Sequence, residues 1–174
     1  PDLDVIDQRL ISEMQRGLRV AHMRGRYFDF SSMLTVREGR HITGETTVTM
    51  RSVFEGDHLD DAIAVALSDW DPHGTAASWL GRLGFLPLQT CSLPVAIPIG
   101  SCIPVAVVGL VVSAKAISAT VDAACLCRMA ADIQNLGYAT GLLAARAVAC
   151  AGDPRGVDVP ALQEELRSLE IIPS

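Results

Sequence analysis

Residues 105–151 constrain the fold more than any other stretch, because three kinds of sequence follow one another there. An uncharged run rich in β-branched residues comes first, and it predicts a buried strand. A polar crossing follows, and then a segment with regularly placed small residues, which predicts a helix able to approach a neighbouring surface closely. In α/β folds, a strand followed by a loop and a helix places the helix N-terminus against a phosphate or an electron-rich ring. The residues concerned are Val105, Val107, Val108, Leu110, Val111 and Val112 in the run, Lys115, Ser118 and Thr120 in the crossing, and Gly137, Ala139, Gly141, Ala144 and Ala145 in the helix.

Four segments carry a resemblance to a known family. Residues 37–45 read REGRHITGE, residues 97–104 read IPIGSCIP, residues 110–120 read LVVSAKAISAT, and residues 158–166 read DVPALQEEL. In this order they resemble the C-terminal part of the FAD-dependent oxidoreductases with a two-dinucleotide-binding-domain fold. The resemblance implies an α/β fold in which packed helices cover a mixed sheet.

The resemblance also implies a set of flavin-binding residues. The strand end and the loop after it are expected near the ribityl chain and the pyrophosphate, and the helix opening is expected at the N1/C2=O edge of the isoalloxazine. Lys115 stands where the family has an arginine, so it keeps the charge but loses the fork geometry. A surface lysine after a strand is the alternative interpretation of Lys115. The expected cofactor-binding residues are Ser113, Ala114, Lys115, Ile117, Asp132, Ile133, Gln134 and Gly137.

The glycine-rich turn that usually holds the ADP half of FAD is missing, since no G-x-G-x-x-G occurs in the chain. We therefore expect FAD to be shared with a partner chain that carries the glycine-rich domain. The expected reaction is hydride transfer from the C–H bond of a small alcohol- or sugar-like substrate to flavin. Three alternatives remain open: a non-catalytic structural subunit of a flavoprotein complex, a small α/β binding module for an unrelated ligand and, last, a membrane-associated subunit.

A polar cluster of Asp69, Asp71 and His73 surrounds Trp70. A histidine beside carboxylates can accept a proton in alcohol oxidation, since its unperturbed pKa lies near neutrality. His73 is accordingly the predicted catalytic residue. The alternative is a simple turn, because Asp-Pro and His-Gly pairs are typical of turns.

Composition excludes several other classes of function. A net charge of −6, from 20 acidic and 14 basic residues, provides no basic face for nucleic acid. The five cysteines and four histidines show no metal-ligand spacing, so no metal site is predicted. An odd number of cysteines without a secretory signal in the first residues indicates a reducing, cytoplasmic compartment.

Residues 85–114 form an uncharged stretch of 30 residues, longer than the ~20 that span a bilayer as a helix. Pro87, Pro94, Pro98 and Pro104 interrupt it, and helical periodicity is absent. We therefore predict buried strands and their connection in place of a membrane segment.

The predicted organisation is a single domain of four consecutive parts. They are an N-terminal helix in residues 1–26, substrate-side strands and loops in 27–92, a flavin-facing strand, loop and helix in 93–151, and a C-terminal helix in 152–174. Within these parts we predict strands at residues 31–36 and 41–50, a strand pair at 97–104, and a helical turn at 51–55. The resemblance implies a further strand at 60–67, although the alanines there favour a helix. Asp153-Pro154 is expected to end the long helix, and Asp158 to begin the last one, with Leu162, Leu166 and Leu169 on one face.

Overall fold

The computed structural model describes residues 39–57, 60–71 and 93–173, and all of them belong to one compact unit of residues 37–174. Short 3₁₀ turns at Ile99–Cys102, Ala114–Ala116 and Pro154–Gly156 connect the main elements. The combination of helices with a small sheet confirms the predicted α/β class. In chain order the main elements are α1 (Met50–Glu55), β1 (Ala62–Ala66), β2 (Val95–Pro98), α2 (Val121–Ala124), α3 (Ala130–Ala149) and α4 (Val159–Ser168).

The sheet is an antiparallel pair of β1 and β2, with Ala64 opposite Ile97 and Ala66 opposite Val95. Four of the five β1 residues are buried. A short apolar run covered on both faces forms a strand even where its alanines favour a helix, because tertiary burial outweighs local propensity. The strand predicted at 60–67 is therefore confirmed.

Helix α3 packs against β1 through its buried side, which includes Leu136, Ala139 and Leu143. The helix ends before the predicted Asp153-Pro154 stop, because Ala151 and Gly152 both adopt left-handed backbone conformations with φ of 55° and 80°. Asp153 then accepts a hydrogen bond of 3.1 Å from the backbone N–H of Arg155 and begins the next turn.

Helix α4 confirms the predicted closing helix. The Asp158 carboxylate accepts a hydrogen bond of 3.2 Å from the backbone N–H of Ala161, as an N-cap residue should. Leu162 and Leu166 are buried, whereas Leu169, which was expected on the same face, lies just beyond the end of the helix and is exposed. Gln163 donates from its amide nitrogen to the carbonyls of Asp60 and Ala62 and attaches α4 to the start of β1.

The strand predicted for residues 105–112 was wrong. These residues form no strand, and Val105, Val107, Val108 and Leu110 are exposed. The backbone is held near its two ends, where Val105 N–H donates to Thr43 and Val112 N–H donates to Cys102. An apolar run indicates that burial is favourable, but it does not say which surface covers it. Within the described residues no neighbouring strand lies beside this run.

Two smaller predictions also need correction. The strand expected at 41–50 is reduced to isolated bridges of Gly44 with Pro104 and Val48 with Ala119. Thr49 ends the extended segment because it caps α1 in a reciprocal capping box with Ser52, which confirms the helical turn predicted there. The strand pair expected at 97–104 is one strand followed by a 3₁₀ turn.

Several predictions fall on residues outside those that the structure describes: the N-terminal helix, the strand at 31–36 and His73. The division of the chain into four parts also stays a prediction. In the part of the chain with described coordinates, no helix has the length and apolar character needed to cross a bilayer.

Candidate functional site

The polar crossing after the apolar run forms a tight turn at Ala114–Ala116. Ala114 has φ of 61°, in the left-handed region that disfavours residues with a Cβ. Next to it, the hydroxyl of Ser113 is buried and has no hydrogen-bond partner among the described residues. Lys115 is exposed. A strained backbone beside an unsatisfied hydroxyl is more often found at functional sites than elsewhere.

The segment of residues 41–48 runs beside this crossing and holds it in place. Backbone N–H groups of Ile42 and Val48 donate to the carbonyls of Ala116 and Ser118 at 2.9 and 3.0 Å. The Thr47 and Ser118 hydroxyls are 2.9 Å apart. The crossing is therefore anchored on one side although neither segment is a regular strand.

His41 makes the most specific contact between the two segments. Its Nδ1 lies 2.8 Å from the carbonyl oxygen of Ile117. No role was predicted for this histidine from the sequence. Its position inside REGRHITGE, one of the four segments that carry the family resemblance, was the signal available.

A narrow cleft opens where these segments meet α2. Its volume is small, about 10 Å³, which is about the space of one water molecule. Three of the eight residues predicted to bind the cofactor line it: Ala114, Lys115 and Ile117. The full lining consists of His41, Ala114, Lys115, Ile117, Ala124, Cys127 and Arg128.

Arg128 is buried at the edge of this cleft. Its guanidinium donates to the backbone carbonyl of Asp71 and lies 3.9 Å from the Asp71 carboxylate. The Nε1 of the adjacent, buried Trp70 donates to the carbonyl of Asp122 at 3.1 Å. The described part of the predicted polar cluster is therefore attached to α2 and to the cleft wall, and His73 lies beyond the described residues.

Of the other five predicted cofactor residues, Ser113 lies next to the turn without lining the cleft, and the remaining four lie on α3. The Asp132 carboxylate accepts hydrogen bonds from the backbone N–H of Leu67, at 3.1 Å, and from the hydroxyl of Ser68. Ile133 is half-buried, and Gln134 and Gly137 are exposed. None of these four lines the cleft.

A second cavity, of about 240 Å³, lies between α1, the sheet and the chain near Pro173. Its walls are mainly apolar, with Val53, Val65 and Leu93 among them, and Asp57 supplies a carboxylate. A cavity of this size and character can hold a small molecule.

Three of the described cysteines, Cys102, Cys125 and Cys127, are buried. Burial raises the pKa of Cys102 and of Cys127 to about 12. They are therefore protonated packing groups at neutral pH, and poor nucleophiles. Among residues with described positions, no group of three potential metal ligands occurs.

Comparison with known proteins gives one match. A family model described as FAD dependent oxidoreductase matches residues 3–166. No curated protein and no solved structure matches the chain.

Proposed function

Because the chain belongs to the family of FAD-dependent oxidoreductases, for which FAD is the cofactor, we propose that it forms the flavin-ring side of an enzyme. The reaction that we propose is hydride transfer from the C–H bond of an alcohol- or sugar-like substrate to the flavin. The observation that carries this proposal is the cleft beside residues 114–117, which Ala114, Lys115 and Ile117, all expected at the cofactor, line together with His41 and Arg128.

The residues at this turn fit part of FAD. The unsatisfied Ser113 hydroxyl and the exposed Lys115 ammonium are donors of the kind that ribityl hydroxyl and pyrophosphate oxygens accept from. A volume of about 10 Å³ does not enclose a ring system, so these groups supply one side of a site only. A bound flavin would contribute the acceptor of the hydride, and this chain would contribute binding and charge.

Lys115 is the cation that we assign to the negative charge of the pyrophosphate. No described acidic side chain forms an ion pair with it. The N-terminus of α3 was expected to stabilise the negative charge of the reduced flavin. It is less suited to this role than the sequence indicated, because Asp132 brings its own carboxylate to the first turn. A carboxylate there offsets the partial positive charge that would otherwise attract a second anion.

The proposal includes a partner chain with the missing glycine-rich domain. Val105, Val107, Val108 and Leu110 are exposed, as are Tyr138 and Val148 on the outer face of α3. Apolar side chains left exposed in such numbers favour a surface that a partner covers. A partner that carries the glycine-rich domain would both complete the pyrophosphate site and cover this apolar surface.

The test is to purify residues 1–174 alone and together with candidate partner chains, and to measure flavin absorbance after gel filtration. We expect colourless protein from the chain alone and stoichiometric flavin in the complex. The Lys115→Ala variant should lower flavin retention in the complex, while Arg51→Ala, which removes another exposed cation, should not.

Two outcomes contradict the proposal in different ways. Tight stoichiometric FAD on the isolated chain would exclude the need for a partner. Colourless protein in every assembly would instead favour the non-catalytic structural subunit or the binding module.

A further inference from the structure

The cavity of about 240 Å³ beside α1 is separate from the cleft, because no residue lines both of them. Its walls come from the C-terminal half of α1, from both strands of the sheet, and from the chain near Pro173. A cavity of about 150 Å³ is enough to hold benzene, so this one has space for a ring with a short side chain.

Most of the wall is apolar. Val53, Val65 and Leu93 line the cavity, and all three are only half-buried although they pack against the core. An apolar group that enters the cavity removes its own surface and part of theirs from water, which favours binding. The body of a fitting ligand is therefore apolar.

The groups of α1 that line the cavity have already used their hydrogen-bond donors. The Ser52 hydroxyl donates to the carbonyl of Thr49 at 2.8 Å, and the backbone N–H of Val53 donates to the same oxygen at 3.1 Å. The N–H groups of Gly56 and Asp57 both donate to the Ser52 carbonyl. This side of the cavity therefore has no free donor for a carboxylate or a phosphate.

Asp57 provides an acceptor at the mouth of the cavity. It lines the cavity and is exposed, so it lies at the rim. No described side chain forms an ion pair with it. It also follows the C-terminal end of α1, where the last carbonyls have no intrahelical partner and carry partial negative charge. The polar end of the cavity therefore suits a ligand group that is positive and donates hydrogen bonds.

We propose that this cavity binds a small primary amine, whose apolar body lies between α1 and the sheet and whose ammonium group pairs with Asp57. The net charge of −6 adds a long-range attraction for a cation. Binding is non-covalent. The inference goes beyond the proposed function and does not depend on it, since none of the residues assigned to the cofactor lines this cavity.

The first test is a titration of the ¹⁵N-labelled full chain, followed by ¹H–¹⁵N spectra. The probes are 2-phenylethylamine, 2-phenylethanol and 3-phenylpropionate, which share the ring and the two-carbon chain and differ in the terminal group. We expect a Kd of about 1 mM for the amine, weaker binding of the alcohol and the weakest binding of the carboxylate, with shifts at the Gly56 and Ala96 amides. Equal affinity for the three probes, no binding of the amine, or shifts confined to other residues would overturn the proposal.

The second test removes the charge at the rim. Asp57→Asn keeps the size of the side chain, and we expect it to weaken amine binding by about 3–10-fold while the affinity for the alcohol stays unchanged. The matched control is Asp60→Asn, since Asp60 is an exposed carboxylate outside the cavity lining. An Asp57→Asn variant with unchanged amine affinity, or an equal loss in Asp60→Asn, would show that Asp57 does not hold the ammonium group.

The third test fills the cavity. Ala96→Ile places a larger side chain in the wall and should abolish binding of the amine and the alcohol alike. Circular dichroism checks that the variant is folded, and Val53→Met is the second variant should the isoleucine lower the yield of folded protein. Wild-type amine affinity in a folded cavity-filling variant would place the binding site elsewhere and contradict the proposal.

Discussion

The carboxylate of Asp132, in the first turn of α3, accepts a hydrogen bond of 3.1 Å from the backbone N–H of Leu67, just past the end of β1. The Ser68 hydroxyl donates to the same carboxylate. Asp132 is buried, with only 6% of its surface exposed. This side chain therefore connects the longest helix to the end of the strand on which it packs.

The first prediction concerns this connection. Asp132→Asn leaves only one acceptor oxygen for two donors, so one donor loses its partner in a buried place. We expect the free energy of unfolding to fall by about 1–3 kcal/mol. Chemical denaturation measures the change, and Glu164→Gln, an exposed acid-to-amide change on α4, is the control. Equal stability of the two variants would show that the Asp132 bonds contribute little.

The second prediction concerns the strained turn at Ala114. Because its φ is 61°, Ala114→Gly should raise the free energy of unfolding by about 0.5–1 kcal/mol, as glycine adopts this conformation without a Cβ clash. Ala114→Val should lower it by more than 1 kcal/mol, at about the scale of left-handed strain. Ala116→Gly, in the same turn without a positive φ, should be destabilising. Thermal melts that rank the three variants differently would contradict this account of the turn.

The third prediction concerns the buried thiols. Burial raises the pKa of Cys102 and Cys127 from 9.0 to about 12, and for Cys127 the nearby Asp132 adds to the effect. The stability that comes from the protonated thiols is complete below pH 9.0 and is lost as the pH rises toward about 12. Unfolding free energy should fall by about 1.4 kcal/mol per pH unit for each thiol in that range.

Denaturation curves between pH 8 and 11 provide the measurement for the thiols. The double variant Cys102→Ala/Cys127→Ala should be less stable at pH 8 because it leaves cavities, but its stability should depend less on pH. An unchanged pH dependence in the double variant would assign the effect to other groups.

The fourth prediction concerns the outer face of α3. A Cβ at Gly137 would meet nothing within 4 Å, so Gly137→Ala should stabilise the isolated chain by about 0.5–1 kcal/mol. Gly137→Leu should likewise be tolerated in the isolated chain, yet it should weaken assembly of the complex if a partner covers this face. Ala149→Leu, an exposed change at the end of the same helix, is the control. Gel filtration of mixed chains that shows equal assembly for both leucine variants would place the partner elsewhere.

The sequence predicted the local part of the site better than its long-range contacts. Ala114, Lys115 and Ile117 were expected together because they are neighbours in one segment, and they share a cleft wall. His41 contacts Ile117 across 76 positions of the chain, and no local pattern indicates which histidine reaches that carbonyl. Asp132 was predicted from the helix opening alone, but its carboxylate is engaged by Leu67 and Ser68 from a different element.

What the sequence determined by itself is the part of the structure that depends on neighbouring residues. The helices at Ala130–Ala149 and Val159–Ser168 follow from the spacing of small and apolar residues, caps and breakers within a few residues, whereas the α/β class and the strand at Ala62–Ala66 were expected from the family resemblance. Tertiary structure alone decided that residues 105–110 are largely exposed, that Asp132 joins β1, and that His41 enters the cleft. The physical reason is that burial and hydrogen bonding depend on which distant surfaces meet. The chemistry of a single apolar or polar side chain does not specify which distant residue it will contact.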